Sequence, residues 1–191
     1  MKKYMIGLLV TNKYGVLTRI ASLFARRGYN IDTLTVGETV NPQVSRMTIM
    51  ITGNDHDRDQ MIKQLRKLHD VHFVKEMVAE KSVCRELVLL KVATDRSNRQ
   101  EIIDAANVFR NKIIDYSTDA ITMELTGETK KLDAFIELMK EYGILELGRT
   151  GVVSLKRGDE CLDGTNSRSL KKPRVRKRKT ARQYLEGGNT K

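Results

Sequence analysis

The chain has 191 residues, of which 40% are apolar and 31% charged, proportions typical of a globular protein with one medium domain or two small ones. Its net charge is +11, and residues 157–191 carry eleven Lys or Arg against four Asp or Glu, so most of the excess lies at one end. The apolar stretch at residues 5–10 is too short to span a membrane and poor as a signal-peptide core, which predicts a cytoplasmic protein.

A glycine turn joins the first predicted strand to the first predicted helix. Apolar residues alternate at positions 4, 6, 8 and 10, residues 12–17 (NKYGVL) follow, and a helical stripe ends before Gly28. The first amides of a helix have no partner inside it, so they can bind an anion. This turn therefore predicts a site for a small carboxylate.

The remaining elements of the first half complete a six-element unit by about residue 80. A second strand follows Asn30, and alternation at residues 47–51 predicts a third, with Pro42 in the hairpin between them. Asn54 marks the start of the next helix, whose stripe includes Met61 and Leu65, and residues 71–78 predict a fourth strand.

The second half repeats this order of elements without repeating the residues. Residues 87–92 predict a strand, 97–100 (SNRQ) a capping box, 113–114 and 121–125 two more strands, and 144–155 a closing strand. Stripes of apolar residues predict the two helices. They are Ile102, Ile103, Ala106 and Phe109 in one, and Leu132, Phe135, Ile136 and Met139 in the other.

The fold class predicted by this order is α+β, with two tandem ferredoxin-like βαββαβ domains at residues 1–80 and 81–158. Right-handed crossovers place both helices of each unit on one face of its sheet. The other face needs a second sheet or another subunit to cover it, so we expect at least a homodimer. Residues 159–191 are predicted to be a basic, disordered tail, either solvated or bound to a polyanion.

Three stretches of the first half carry a family resemblance. The turn at 12–17 resembles that of an ACT domain, and residues 26–36 (RRGYNIDTLTV) with 45–49 (SRMTI) resemble the regulatory, or small, subunit of acetohydroxyacid synthase, also called acetolactate synthase. The likeness extends over about residues 3–158. It implies a regulatory subunit in branched-chain amino acid (valine, isoleucine, leucine) biosynthesis. Such a subunit activates a catalytic subunit carrying thiamine diphosphate, magnesium and FAD, and makes it sensitive to valine by feedback inhibition.

The resemblance also implies which residues bind the effector, at the interface between two such domains. We expect Asn12 and Asn30 to lie close together and to accept the ammonium of the amino acid, while amides near Gly15 bind its carboxylate. The C-terminal domain resembles the part of the family that docks on the catalytic subunit, with Arg149 and Arg157 as contacts. The expected effector residues are Asn12, Gly15, Val16, Leu17, Thr18, Asn30 and Ile31.

Catalytic and metal-binding patterns are missing from the sequence. No G-x-S-x-G, no thiamine-diphosphate signature and no pair of carboxylates in an apolar setting occurs, and the three histidines lack metal-ligand spacing. The two cysteines lie far apart, outside any CxxC pattern. We therefore expect no activity, metal or cofactor in this chain alone.

Two other functions fit the same architecture. An ACT-domain sensor of an amino acid from another pathway would share the turn. A nucleic-acid-binding protein with the RRM architecture would share the βαββαβ order and the basic tail, but aromatics are only 5% of the chain and no tryptophan occurs. The absence of aromatics on the middle strands disfavours nucleic acid as a partner.

Overall fold

The computed structural model describes residues 1–166, and the predictions for residues 167–191 lie outside this part of the chain. Its first unit consists of β1 (Lys2–Thr11), α1 (Val16–Arg26), β2 (Thr33–Glu38), β3 (Val44–Gly53), α2 (Asp55–Leu65) and β4 (Val71–Glu76). The strands are antiparallel in the order β2-β3-β1-β4. This is the predicted βαββαβ unit.

The core of the first unit lies between this sheet and its two helices. Even-numbered residues of β1 face the helices, and Ile6, Leu8 and Val10 are fully buried there. Ile20 and Phe24 of α1 pack against them, as the helical spacing predicts. Burying each of these large side chains contributes roughly 1.5–3 kcal/mol to the stability of the fold. The period of two in the strand and of 3.6 in the helix therefore determines which faces of β1 and α1 pack together.

The second unit has the same order of elements and one additional strand. It consists of β5 (Ser82–Ala93), α3 (Arg99–Val108), β6 (Lys112–Tyr116), β7 (Ala120–Gly127), α4 (Thr129–Met139), β8 (Ile144–Arg149) and β9 (Val153–Lys156). The sheet order is β6-β7-β5-β8, and β9 pairs with residues 82–85 at the start of β5. A second buried cluster fills the space between this sheet and α3 and α4.

The strand predicted over residues 144–155 is two strands, β8 and β9, separated at Gly151. Gly151 has φ +79°, a left-handed conformation that interrupts a strand. Thr35 on β2 donates to the carbonyls of both Thr150 and Val152 at 3.2 Å, and Arg46 on β3 donates to the Ser154 carbonyl at 2.6 Å. The break lets the chain turn from one sheet onto the other.

Residues beyond β8 thus cover part of the open face of the first sheet. Val152 and Leu162 are buried with Met5 and Met77 in a third cluster on that face. Part of the cover that we expected from another sheet or subunit is therefore supplied by the same chain. The prediction of a disordered tail from residue 159 was wrong for its first part, because Leu162 is only 2% exposed.

Candidate effector site

The turn between β1 and α1 has a backbone geometry that requires glycine. Gly15 precedes the helix with φ +78° and ψ −8°, and no side chain of residues 1–166 caps the first turn of α1. A left-handed conformation costs other residues about 1–2 kcal/mol, which explains glycine at this position. Among residues 1–166, a Cβ atom there would closely approach the guanidinium of Arg19, at 3.2 Å, and this end of a flexible side chain can move aside.

The hydrogen bonds of the turn leave several amides free. The Asn12 and Lys13 amides donate to the carbonyls of Gln43 and Thr11 at 2.8 and 3.1 Å, and the Val16 amide makes a long bond of 3.4 Å to the Lys13 carbonyl. Within residues 1–166, the amides of Gly15, Leu17 and Thr18 have no hydrogen-bond acceptor. Three free amides at the positive end of a helix form a site suited to a carboxylate.

The side chain of Asn12 connects this turn to the hairpin between β2 and β3. Its Nδ2 donates to Glu38 Oε1 at 3.0 Å and to the Pro42 carbonyl at 2.9 Å. The amide oxygen Oδ1 has no partner in the described part of the chain and can accept a hydrogen bond from a ligand. Sequence reasoning did not identify Glu38. The available signal was the pairing of β1 with β3, which brings that hairpin to the end of β1.

Asn30 lies far from Asn12 within one chain, so the expectation that the two asparagines meet was wrong. Asn12 follows Thr11, which pairs with Val44 on β3, whereas Asn30 precedes Thr33, which pairs with Met50. Val44 and Met50 are six residues apart on the extended strand β3, which separates the positions of Asn12 and Asn30 by about 20 Å. The physical reason is that α1 runs the length of the sheet between them.

The other expected effector residues differ in their exposure. Leu17 is 44% exposed and Thr18 is also exposed, both on the first turn of α1, whereas Val16 is only 2% exposed and belongs to the core. Ile31 is half-buried at the end of the sheet near Asn30, whose Nδ2 donates to Asp32 Oδ1 at 3.3 Å. The residues therefore form two groups at opposite ends of the first unit.

In the second unit, the corresponding turn between β5 and α3 already contains a carboxylate, that of Asp95. Asp95 Oδ1 accepts hydrogen bonds from the amide and hydroxyl of Ser97 at 2.7 and 2.6 Å and from the Asn98 amide at 3.1 Å. The hydrogen bond from Ser97 is the main cause of the lowered pKa of Asp95. The predicted capping box does not form, because Asp95 has taken these donors. An external carboxylate would have to compete with it.

Comparison with known proteins gives the family. Residues 85–158 match the family model described as the small subunit of acetolactate synthase, and residues 6–73 match its ACT domain. A probable acetolactate synthase small subunit from Methanothermobacter thermautotrophicus is 47% identical over 160 residues, which cover 83% of this chain and 95% of that protein. This chain belongs to the acetolactate synthase small-subunit family.

Other members of the small-subunit family agree with this assignment. The acetolactate synthase small subunit of Mycolicibacterium smegmatis is 46% identical over 153 residues, covering 80% of this chain and 90% of that protein. The crystal structure of the Thermotoga maritima small subunit matches with a TM-score of 0.77 and 41% identity, covering 83% of this chain and 99% of that one. The chain is therefore a regulatory subunit rather than a catalytic one.

Of the two arginines that the small-subunit resemblance suggested as partner contacts, one is held inside the second unit. Arg149 on β8 makes a two-pronged ion pair with Glu86 on β5 at 2.8 and 2.9 Å, and its third nitrogen contacts Asp133 on α4 at 2.8 Å. These hydrogen bonds raise the pKa of Arg149, and the bond to Glu86 contributes most. Arg157 is exposed, and its backbone amide donates to the Lys81 carbonyl at 2.9 Å.

Across residues 1–166, no three His, Cys, Asp or Glu side chains are arranged to bind a metal ion together. None of the helices in this range is both long and apolar enough to cross a membrane.

Proposed function

We propose that this small subunit binds valine at the turn between β1 and α1, activates the catalytic subunit of acetolactate synthase, and confers valine feedback inhibition on it. The proposal places the complex in the cytoplasm and assigns thiamine diphosphate, magnesium and FAD to the catalytic subunit. The observation that carries it is the set of free amides at Gly15, Leu17 and Thr18.

Each part of a zwitterionic amino acid has a counterpart at this turn. The carboxylate accepts from the free amides, where the dipole of α1 favours negative charge. The ammonium donates to the unpartnered Oδ1 of Asn12. The aliphatic side chain lies against apolar surface near Leu17, which is 44% exposed in the single chain.

The second group of effector residues, Asn30 and Ile31, is proposed to come from another copy of the chain. One chain cannot bring Asn30 to the turn, because about 20 Å of strand separates it from Asn12. In a symmetric homodimer, the Asn12 end of one protomer can face the Asn30 end of its partner. Valine bound between them then favours one arrangement of the protomers, with a coupling of about 1–3 kcal/mol to the catalytic subunit.

Replacing Gly15 tests the proposed site. Gly15→Asp adds a carboxylate where that of the ligand must bind, and Asp tolerates the left-handed backbone better than most residues. We expect calorimetry to show no valine binding and the complex to lose valine inhibition, while activation of the catalytic subunit persists. Gly158→Asp is the control, since Gly158 also has a positive φ, and no atom of residues 1–166 lies within 4 Å of its Cβ position.

The same titrations identify the effector. Valine, leucine and isoleucine are compared on the wild-type chain, because one methylene changes affinity by only about 1–3 kcal/mol. Valine binding and inhibition that survive in Gly15→Asp would refute the assignment of the site.

A further inference from the structure

Arg19, on the first turn of α1, lies beside the glycine turn that is proposed to bind the effector. Its Nη1 atom is 3.2 Å from the position that a Cβ atom of Gly15 would take. An amide nitrogen lies about 2.5 Å from the Cβ position of its own residue, so Nη1 is within about 6 Å of the Gly15 nitrogen. Two donors this close together can bind the two oxygens of one carboxylate.

The nitrogens of the Arg19 guanidinium differ in whether they have an acceptor. Nε and Nη2 both contact Asp70 Oδ2, at 2.9 and 2.8 Å. Nη1, the nitrogen beside Gly15, has no acceptor within residues 1–166. The side chain of Arg19 is 52% exposed, so a ligand can reach this nitrogen from solvent. One edge of the guanidinium is therefore bound to the protein, and one donor remains available at the turn.

The position of Asp70 is fixed by the first sheet. Asp70 directly precedes β4, and its backbone carbonyl accepts a hydrogen bond of 2.9 Å from the amide of Thr11, at the end of β1. Its side chain is only 21% exposed. The ion pair thus holds the guanidinium against the end of β1. A charged group that is already positioned loses little conformational freedom when a ligand binds.

We propose that Arg19 binds the carboxylate of the effector through Nη1, together with the free amides of the turn, and that Asp70 positions it. The inference rests on the proposed function, since it adds a charged donor to the same site. Backbone amides bind charged and neutral oxygens alike, whereas a guanidinium binds an ionised carboxylate more strongly. Arg19 therefore selects ligands that carry a free carboxylate.

Calorimetry on the full-length chain tests this role with two ligands, valine and valinamide. Valinamide keeps the ammonium and the aliphatic side chain of valine but lacks the negative charge. We expect Arg19→Gln to weaken valine binding at least about tenfold, because a hydrogen bond to a charged group is lost. The affinity for valinamide should stay close to that of the wild type, which also shows that the variant folds.

Two further variants separate a direct contact from a general effect of charge or of stability. Lys13→Gln removes the same charge from an exposed lysine of the same turn, and it should bind valine nearly as the wild type does. Asp70→Asn keeps an oxygen that accepts from Arg19 but removes the charge that competes with the ligand. This variant should bind valine at least as tightly as the wild type.

Several results would overturn the assignment of Arg19. Equal losses of valine affinity in Arg19→Gln and Asp70→Asn would show that the ion pair only supports the turn. An equal loss in Lys13→Gln would assign the effect to the overall charge of the turn. Valine binding that is lost in Gly15→Asp but unchanged in Arg19→Gln would refute this inference alone. A wild-type chain that binds no valine would instead refute the proposed function.

Discussion

At the scale of single residues, Arg149 is a side chain that the family resemblance suggested as a partner contact but whose hydrogen bonds lie within the second unit. The side chain of its partner Glu86 is only 1% exposed, so this carboxylate depends on the guanidinium for compensation. Thr129 donates to the same carboxylate at 3.2 Å, and Asp133 binds the outer nitrogen. β5, β8 and α4 are therefore held together around one buried charge.

We expect Arg149→Met to lower the free energy of unfolding by about 3 kcal/mol, because it leaves the Glu86 carboxylate buried and unpaired. Arg149→Lys should recover part of the lost stability, since lysine restores the positive charge but not the two parallel hydrogen bonds of the guanidinium. Urea denaturation measures both. An unchanged unfolding midpoint together with lost activation of the catalytic subunit would instead make Arg149 a partner contact.

At the scale of elements, the break between β8 and β9 determines how the second unit lies on the first. The segment crosses β2 at Gly151, where a Cβ atom would lie 3.1 Å from Thr33 Cβ and 3.2 Å from Thr35 Oγ1. The two hydrogen bonds of Thr35 fix the same crossing. Gly151 is therefore needed both for its backbone angle and for its lack of a side chain.

A pair of glycine substitutions separates these two requirements. Gly158→Ala should cost only the strain of the positive φ, about 1–2 kcal/mol, because no atom of residues 1–166 lies within 4 Å of its Cβ position. Gly151→Ala adds the overlap with Thr33 and Thr35, and we expect it to cost at least about 1 kcal/mol more. Equal losses in thermal unfolding would show that the crossing is not tightly packed.

The elements predicted well from sequence are those with one buried face, because that face places apolar residues at a regular spacing along the chain. The helical spacing of Ile20 and Phe24 and the alternation of Met47, Ile49 and Ile51 are visible in the sequence because each faces one continuous core. The contacts that were missed join residues far apart in the chain. Neither the packing of Gly151 on Thr33 nor the distance between Asn12 and Asn30 has a local signal.

At the scale of the whole molecule, the two units are joined by a cluster that neither could form alone. Val152 and Leu162 come after the second unit's main sheet, while Met5 and Met77 belong to the first unit. Gly7 on β1 leaves room for Leu162, whose Cδ1 would lie 3.3 Å from an added Cβ. The end of the described chain thus stabilises the open face of the first sheet.

Two truncations test this role. Ending the chain after residue 158 removes Leu162, and we expect a loss of about 1.5–3 kcal/mol in stability. A chain ending after residue 166 keeps this contact and should stay within about 0.5 kcal/mol of the full chain. If both truncations unfold at the same midpoint, residues 159–166 do not stabilise the fold.

Calorimetry on mixed mutants tests the shared effector site most directly. Asn12→Ala and Asn30→Ala homodimers should each fail to bind valine, because every site lacks one asparagine. When the two chains are mixed and allowed to exchange, half of the dimers are mixed, and each of these regains one intact site. The account predicts that about a quarter of all sites bind valine again. A mixture that binds no more than its parents would contradict a site shared between two copies.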